Sequence, residues 1–427
     1  MVRSRVHRRA RLAAVLGVLG ALAAVALIAS CGERDRLNPL DPLNDATGGR
    51  PPSFNAVALD GRVELRWAPL RLKGLSGLNV YRGTRESGPF ELLAGSPLDP
   101  GGATAVDSSV VNGTTYFYVL VPVIESAGER TPSLPVAATP GPHMAVVCDG
   151  WSGVVSKLSA DLRTSIWTVG GFYLPFCVAS SGTFVLVCDL YEGVMKLDSE
   201  GGLVWRAAEF TVPVWVSVHT DGTSAVADYA AGNVTILSPD GHVERVMSEA
   251  LLTPRSVSFD SEGNVWVADP GAGRVNKYSR EGLLVSTNTN LVRPSVLDVE
   301  MESGCCWVAD GGTNSVVRLS PEAEEMSRIT LFSSPRAVEA EQKGGGCWVA
   351  ACGSKELVRL SAGAGVQWRV GKMGCPVWIH ASPDDGSVWV ADAELGRVLV
   401  LSGAGHLRFV TSQFVSPMSL TVPGNVR

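Results

Sequence analysis

Asp298, Glu339 and His380 recur 41 residues apart, each four places past a proline (Pro294, Pro335, Pro376). Two carboxylates and an imidazole on neighbouring elements can hold a divalent cation such as calcium or magnesium, or work as acid and base. The same slot elsewhere carries Ala179, Ser217, Ser258 and Thr421, so these three groups interrupt a small or hydroxylic column. His219 and Glu300, two places further along, could join such a site. The plainer reading is a wet channel whose polar residues do no chemistry. A second set clusters around turns. Trp151, Tyr191 and Tyr229 follow an aspartate, Phe172 and Tyr173 precede Pro175, and Arg255, Arg293 and Arg336 flank later prolines. Aromatics beside arginines stack on a sugar or grip a peptide. The alternative is loop aromatics folded over the ends of the elements.

The elements that position these residues are written as a repeat. A phrase ending in aspartate closes at Asp149, Asp189, Asp228, Asp269, Asp310 and Asp392, with Ala351 in the remaining slot. The steps are 39 to 41 residues. Pro175, Pro213, Pro254, Pro294, Pro335, Pro376 and Pro417 each begin an apolar run. A period of roughly 40–45 with short alternating strands reads as propeller blades of four strands. The repeat opens on a second strand, "HMAVVCD", and ends on an unmatched first strand, "SPMSLTVP". The C-terminal strand therefore completes the first blade and closes a ring of seven, leaving no open sheet edge there. Trp266, Trp307, Trp348 and Trp389 share one slot in consecutive units, which suits packing between blades. An aspartate leading into a turn accepts backbone N–H groups, and a residue present six times is not one that chemistry needs once.

Residues 143–427 resemble NHL-repeat propellers, close to the gluconolactonase-like and streptogramin-lyase-like groups. The gluconolactonase-like resemblance implies a metal near the axis, with Asp298, Glu339 and His380 as candidate metal ligands or catalytic groups, although that family's ligand motifs are absent from matching positions. The fold leaves the activity open.

Residues 51–142 show short alternating stretches ("RVELRW", "GLNVYRG", "TTYFYVLVPV") separated by Gly, Pro, Asn and Asp, which predicts a small β-sandwich. They resemble a fibronectin type III domain, with Trp67 as its strand-B tryptophan and Tyr116 of "NGTTYFYV" as its corner tyrosine. The usual proline before that corner is missing. The fold class expected for the chain is all-β: this sandwich, then a seven-bladed propeller closed by the C-terminal strand.

The N-terminus is processed rather than folded. "MVRSRVHRRAR" carries five arginines and no acid and leads into an apolar run, as in an export signal. "LIASC" resembles the lipobox of bacterial lipoproteins. The resemblance implies removal of residues 1–30 and lipidation of Cys31, with residues 31–50 a flexible tether. Gly32 after the cysteine implies an outer-membrane anchor, on its periplasmic or surface face, rather than an inner-membrane one. Loss of the five arginines takes the formal charge from −6 to −11, which repels phosphate backbones and argues against a nucleic-acid partner. The lipid then supplies the membrane contact.

No C-x-x-C, H-E-x-x-H, G-x-S-x-G or Gly-rich phosphate loop occurs. Cys352 ends one second strand and Cys375 precedes the next first strand, and an exported chain permits the disulfide they would form. Two functional expectations remain. The first is a lipid-anchored extracytoplasmic binding or scaffold protein, its propeller rim taking a protein, peptide or glycan. The second is a metal-dependent hydrolase or lyase at the channel mouth.

Overall fold

The computed structural model describes residues 38–40, 44, 46–70 and 72–423. The expected signal segment and Cys31 lie outside the described residues. Within the expected tether, Ala46, Thr47 and Gly48 turn on Asn44, and Leu40 is buried. The described residues are all-β and contain no helix. They fall into two compact units, divided between Pro140 and Gly141.

The first unit has two sheets. One pairs Asn55–Leu59, Arg62–Arg66 and Thr104–Asp107; the other is built on Leu75–Gly83 and Tyr116–Ile124, with short strands alongside. The alternation read from the sequence places Leu65, Trp67, Val80, Tyr118 and Leu120 in the core. The polar ends of its core aromatics find partners, as burial demands. Trp67 donates to the Gly102 carbonyl at 2.9 Å, and Tyr118 donates to Asp107 at 2.9 Å, a carboxylate also held by Arg82 at 2.8 Å. The Tyr116 hydroxyl accepts the Val111 N–H at 3.1 Å.

The second unit is propeller-like. Its described residues form seven antiparallel sheets of four strands each. In chain order from the second, the inner strands are Pro175–Ser180, Pro213–Val218, Ser256–Phe259, Pro294–Val299, Pro335–Ala340 and Pro376–Ala381. The first sheet takes its inner strand from the other end of the chain: Pro417–Thr421 pairs with Val146–Asp149. Each inner strand packs against the next, and the seventh against the first, so the set is cyclic.

Seven apolar clusters fill the seven seams between sheets. Trp266 sits between the fourth and fifth sheets, Trp307 between the fifth and sixth, Trp348 between the sixth and seventh, and Trp389 between the seventh and first. Both faces of each second strand are buried because each sheet has a neighbour on either side. This is why phrases such as "VWVAD" are apolar throughout rather than alternating.

Turn geometry explains the phrase endings. The fourth residue past the aspartate slot has positive φ in all seven sheets: Gly153, Gly193, Gly232, Gly273, Asn314, Lys355 and Gly396. Glycine carries that conformation without strain and asparagine with little. At Gly193 a Cβ would also lie 2.1 Å from the Ala207 carbonyl oxygen.

Candidate functional site: the channel and the rim

Inner strands pair on one side only, so their other edge presents N–H groups to the channel with no β partner. The polar column meets this need. Asp298 accepts the Ala340 N–H of the next inner strand at 2.9 Å and the Ser258 hydroxyl of the preceding one at 3.2 Å. Glu339 accepts the Ala381 N–H at 3.2 Å. Elsewhere hydroxyls serve: Ser419 accepts the Val178 N–H at 2.7 Å, and Thr421 bonds Ser180 at 2.9 Å.

Asp298, Glu339 and His380 therefore do share the channel wall, and all three are buried. Their carboxylate oxygens, however, are turned onto neighbouring backbone. Among the described residues no group of three or more His, Cys, Asp or Glu is arranged to hold a metal ion. The other two candidates stand apart from the set. Glu300 is gripped by Arg318 at 2.8 Å and by the Trp307 indole at 2.6 Å. His219 lies 3.0 Å from Asp221 and against the Phe259 ring, beside a separate hollow. Both side chains are drawn to partners where the inner strand has ended, so the period-two argument no longer aims them into the channel.

Sequence reasoning missed what closes the channel. Trp215 of the third sheet and Trp378 of the seventh meet across the ring, centroids 4.4 Å apart. The available signal was two tryptophans at the second place past Pro213 and Pro376, where other sheets carry Cys, Ser, Val or Ala. The remaining cavity is about 90 Å³, below the roughly 300 Å³ at which small-molecule sites begin.

His380 is the unusual group in that cavity's wall. Its Nδ1 is 3.7 Å from Glu339, too far to hydrogen-bond, and its Nε2 is buried without a partner. Burial, and then the neighbouring His143, push its pKa down from 6.5 to about 4. The folded protein thus holds a neutral imidazole that the unfolded chain would protonate below about pH 6.5. Stability from this group is complete above that pH and is lost as pH falls through 4. We expect urea unfolding to show up to about 3 kcal/mol of acid destabilisation from this source. His380→Gln should remove that slope; a variant as acid-sensitive as the parent would refute the assignment.

The repeated aspartates do not form a functional set either. Each buried carboxylate ties the end of its second strand to the residues before the proline of the same sheet. Asp189 accepts from Tyr173, Leu174, Tyr191 and Glu192 at 2.7–3.1 Å. Burial alone would raise the Asp310 carboxyl, but the N–H groups of Arg293, Val292 and Gly312 and the Thr313 hydroxyl hold it below the usual range.

These ties define one rim, where the turns after the aspartates meet the lead-ins to the inner strands. Trp151, Tyr173, Tyr191 and Tyr229 stand there 77%, 70%, 66% and 41% exposed. Tyr173 and Tyr191 make an edge-on pair at 4.9 Å. Phe172 differs from the expectation of a binding residue: it is buried in the seam between the first and second sheets. Sequence cannot separate it from Tyr173, because neighbours in an extended lead-in point opposite ways. Arg293 and Arg336 are exposed and Arg255 is half-buried. Cys352 and Cys375 are joined by a disulfide on this rim.

No protein-family model matches the chain. Among curated proteins it is similar to the amylopullulanase of Thermoanaerobacterium saccharolyticum, 31% identical over 134 residues, covering 30% of this chain and 10% of that protein. The amylopullulanase of Thermoanaerobacter thermohydrosulfuricus is 33% identical over 101 residues, 23% of this chain and 7% of that one. The chain thus spans a tenth or less of these relatives' length. Among solved structures, a functionally unknown protein from Desulfotomaculum acetoxidans superposes with TM-score 0.58 at 10% identity, covering 65% of this chain and 98% of that chain. A putative 6-phosphogluconolactonase from Bacteroides fragilis gives 0.55 at 11%, covering 66% and 97%. A catalytically inactive virginiamycin B lyase from Staphylococcus aureus gives 0.50 at 12%, covering 56% and 84%. These likenesses show an all-β, propeller-like fold.

Proposed function

We propose that this chain is a non-enzymatic, lipid-anchored binding or scaffold protein of the cell envelope. In this reading Cys31 carries the lipid, and the anchor lies in an outer membrane. A fibronectin type III-like sandwich follows, then a seven-bladed NHL-like propeller whose rim takes a protein, peptide or glycan. Nucleic acid is not a partner. The observation that carries the reading is the exposed arc of Trp151, Tyr173, Tyr191 and Tyr229 on three successive sheets. Large aromatics left in water on one face are the usual anchors of a binding surface. The channel, by contrast, is crossed by the Trp215–Trp378 pair and its carboxylates serve the backbone.

The other reading, a metal-dependent hydrolase or lyase using Asp298, Glu339 and His380, has in its favour the unpartnered Nε2 of His380 facing the need for a ligand or proton. One set of preparations tests both. Full-length protein applied to glycan and peptide arrays should bind through the rim, and Trp151→Ala with Tyr191→Ala should weaken capture at least about tenfold, the scale of two anchor residues. Capture untouched by that double variant, together with stoichiometric calcium or magnesium lost in Asp298→Ala, would reverse the preference. Release of a Cys31→Ser variant from the membrane fraction checks the anchor.

A further inference from the structure

The three rim arginines differ from Arg397 and Arg328, whose charges are met by carboxylates. Arg397 is bound to Asp392 at 3.0 Å and to the Lys372 carbonyl, and Arg328 to Asp310 and Glu325. Among the described residues, no side-chain hydrogen bond or ion pair engages Arg255, Arg293 or Arg336. Their backbones are nonetheless pinned. The Arg255 N–H donates to the Ala268 carbonyl at 2.9 Å, and the Arg293 N–H to Asp310 at 2.8 Å. Arg336 lies within the inner strand of the sixth sheet. Consecutive sheets four, five and six therefore bring one guanidinium each to the same mouth.

The inner strands they lead into are neighbours, the fourth packed on the fifth and the fifth on the sixth, and each arginine lies next to the proline at the start of its strand. Burial first, and then the like charges of Arg336 and Arg293, weaken the hold of Arg255 on its proton, while the Tyr229 phenol acts the other way. Three unneutralised cations in one place are electrostatically unfavourable in the free protein and become favourable once an anion is seated. That they occur in a chain of net charge −6 makes the cluster a local feature, not a consequence of overall basicity. Tyr229 stands on the third sheet, next in the ring to the fourth sheet that carries Arg255, and the Tyr173–Tyr191 pair stands on the second.

Along this arc the aromatic and cationic parts are segregated by sheet. A polymer with a charge on every repeat would meet arginines all along its path. A ligand with an apolar end and an acidic end fits the observed order, and a peptide can have that composition. We propose that the mouth formed by Arg255, Arg293 and Arg336, continued by Tyr229 and the Tyr173–Tyr191 pair, binds an extended acidic peptide segment of a partner protein. Its carboxylates would sit on the guanidiniums and its aromatic or apolar end on the tyrosines. This rests on the binding reading above.

The test uses the full-length protein and three labelled probes followed by fluorescence anisotropy. These are the peptide Trp-Tyr-Gly-Glu-Glu-Glu-Glu, the same peptide with glutamine for glutamate, and an oligogalacturonate. The acidic peptide should bind at least about tenfold more tightly than the glutamine peptide, with the advantage shrinking as salt rises. An Arg255→Gln, Arg336→Gln variant with unchanged thermal midpoint should lose that advantage and keep the affinity for the glutamine peptide. If the arginine variant retains the advantage, or the two peptides bind alike, the proposal fails while rim binding stands. Tighter binding of the oligogalacturonate, lost in the same variant, would replace the peptide with an anionic glycan. If no probe binds the rim, the proposal is overturned, and the binding reading with it if the arrays are also blank.

Discussion

Asp269→Ala should destabilise the propeller-like unit by about 4 kcal/mol or more, one of the largest effects available to a single substitution here. The carboxylate is fully buried and accepts the N–H groups of Leu252, Thr253, Gly271 and Ala272 at 2.5–3.1 Å. Two of these donors belong to the lead-in of the fourth inner strand and two to the turn between the second and third strands. Removing the carboxylate orphans all four, and each buried donor left without an acceptor costs about 1–3 kcal/mol. Water reaching the exposed side of the lead-in recovers part of this. Asp269→Asn should fall between parent and alanine, because one amide oxygen can still accept while its NH2 opposes the other donors. Thermal unfolding should show a fall of roughly 10 °C for alanine in a unit of this size. A shift of a degree or two would mean that the aspartates mark the repeat without holding it.

Much of the second unit was legible because its markers answer local demands that recur. The aspartate slot is set by four N–H groups, the position four places later by positive φ, and the buried tryptophan slot by the seam between sheets. Each demand is met within about 40 residues, so it repeats at the sequence period. The column that includes Asp298, Glu339 and His380 was legible as a place, since all three line the channel. Its work was not, because the N–H groups that Asp298 and Glu339 accept belong to Ala340 and Ala381, on strands one unit further along.

What was hidden depends on contacts across the ring or on side-chain direction. Trp215 and Trp378 are separated by three intervening sheets one way round and two the other, and touch only because the ring is small. Nothing in the repeat predicts that two of seven slots should meet. Phe172 and Tyr173 are adjacent aromatics of which one is core and the other surface. Glu300 looked like a catalytic carboxylate until Arg318 and Trp307 were seen to enclose it.

The sixth sheet breaks two of the repeat's rules at once, and this sets the last prediction. It carries Ala351 where the others have aspartate, and Lys355 at positive φ where glycine or asparagine is preferred. Its turn is held by substitutes. Cys352 and Gly353 donate to the carbonyls of Ser334 and Ser333, and Asn314 of the fifth sheet accepts the Ser334 N–H at 2.9 Å. The Cys352–Cys375 disulfide then ties this turn to the seventh sheet, where Asp392 accepts the Cys375 N–H at 2.8 Å. One aspartate thereby anchors two sheets, the second through a covalent bond. A bridge closing a loop of this sequence separation, 23 residues, contributes about 3 kcal/mol. Cys352→Ser with Cys375→Ser should therefore lower the thermal midpoint by several degrees, and reductant should do the same to the parent but nothing further to the variant. The comparison is clean because the other described cysteines are buried thiols; burial pushes that of Cys148 up to about 12 and that of Cys188 well above its ordinary value. Equal midpoints for parent and variant would show that the substitute hydrogen bonds alone hold the sixth sheet.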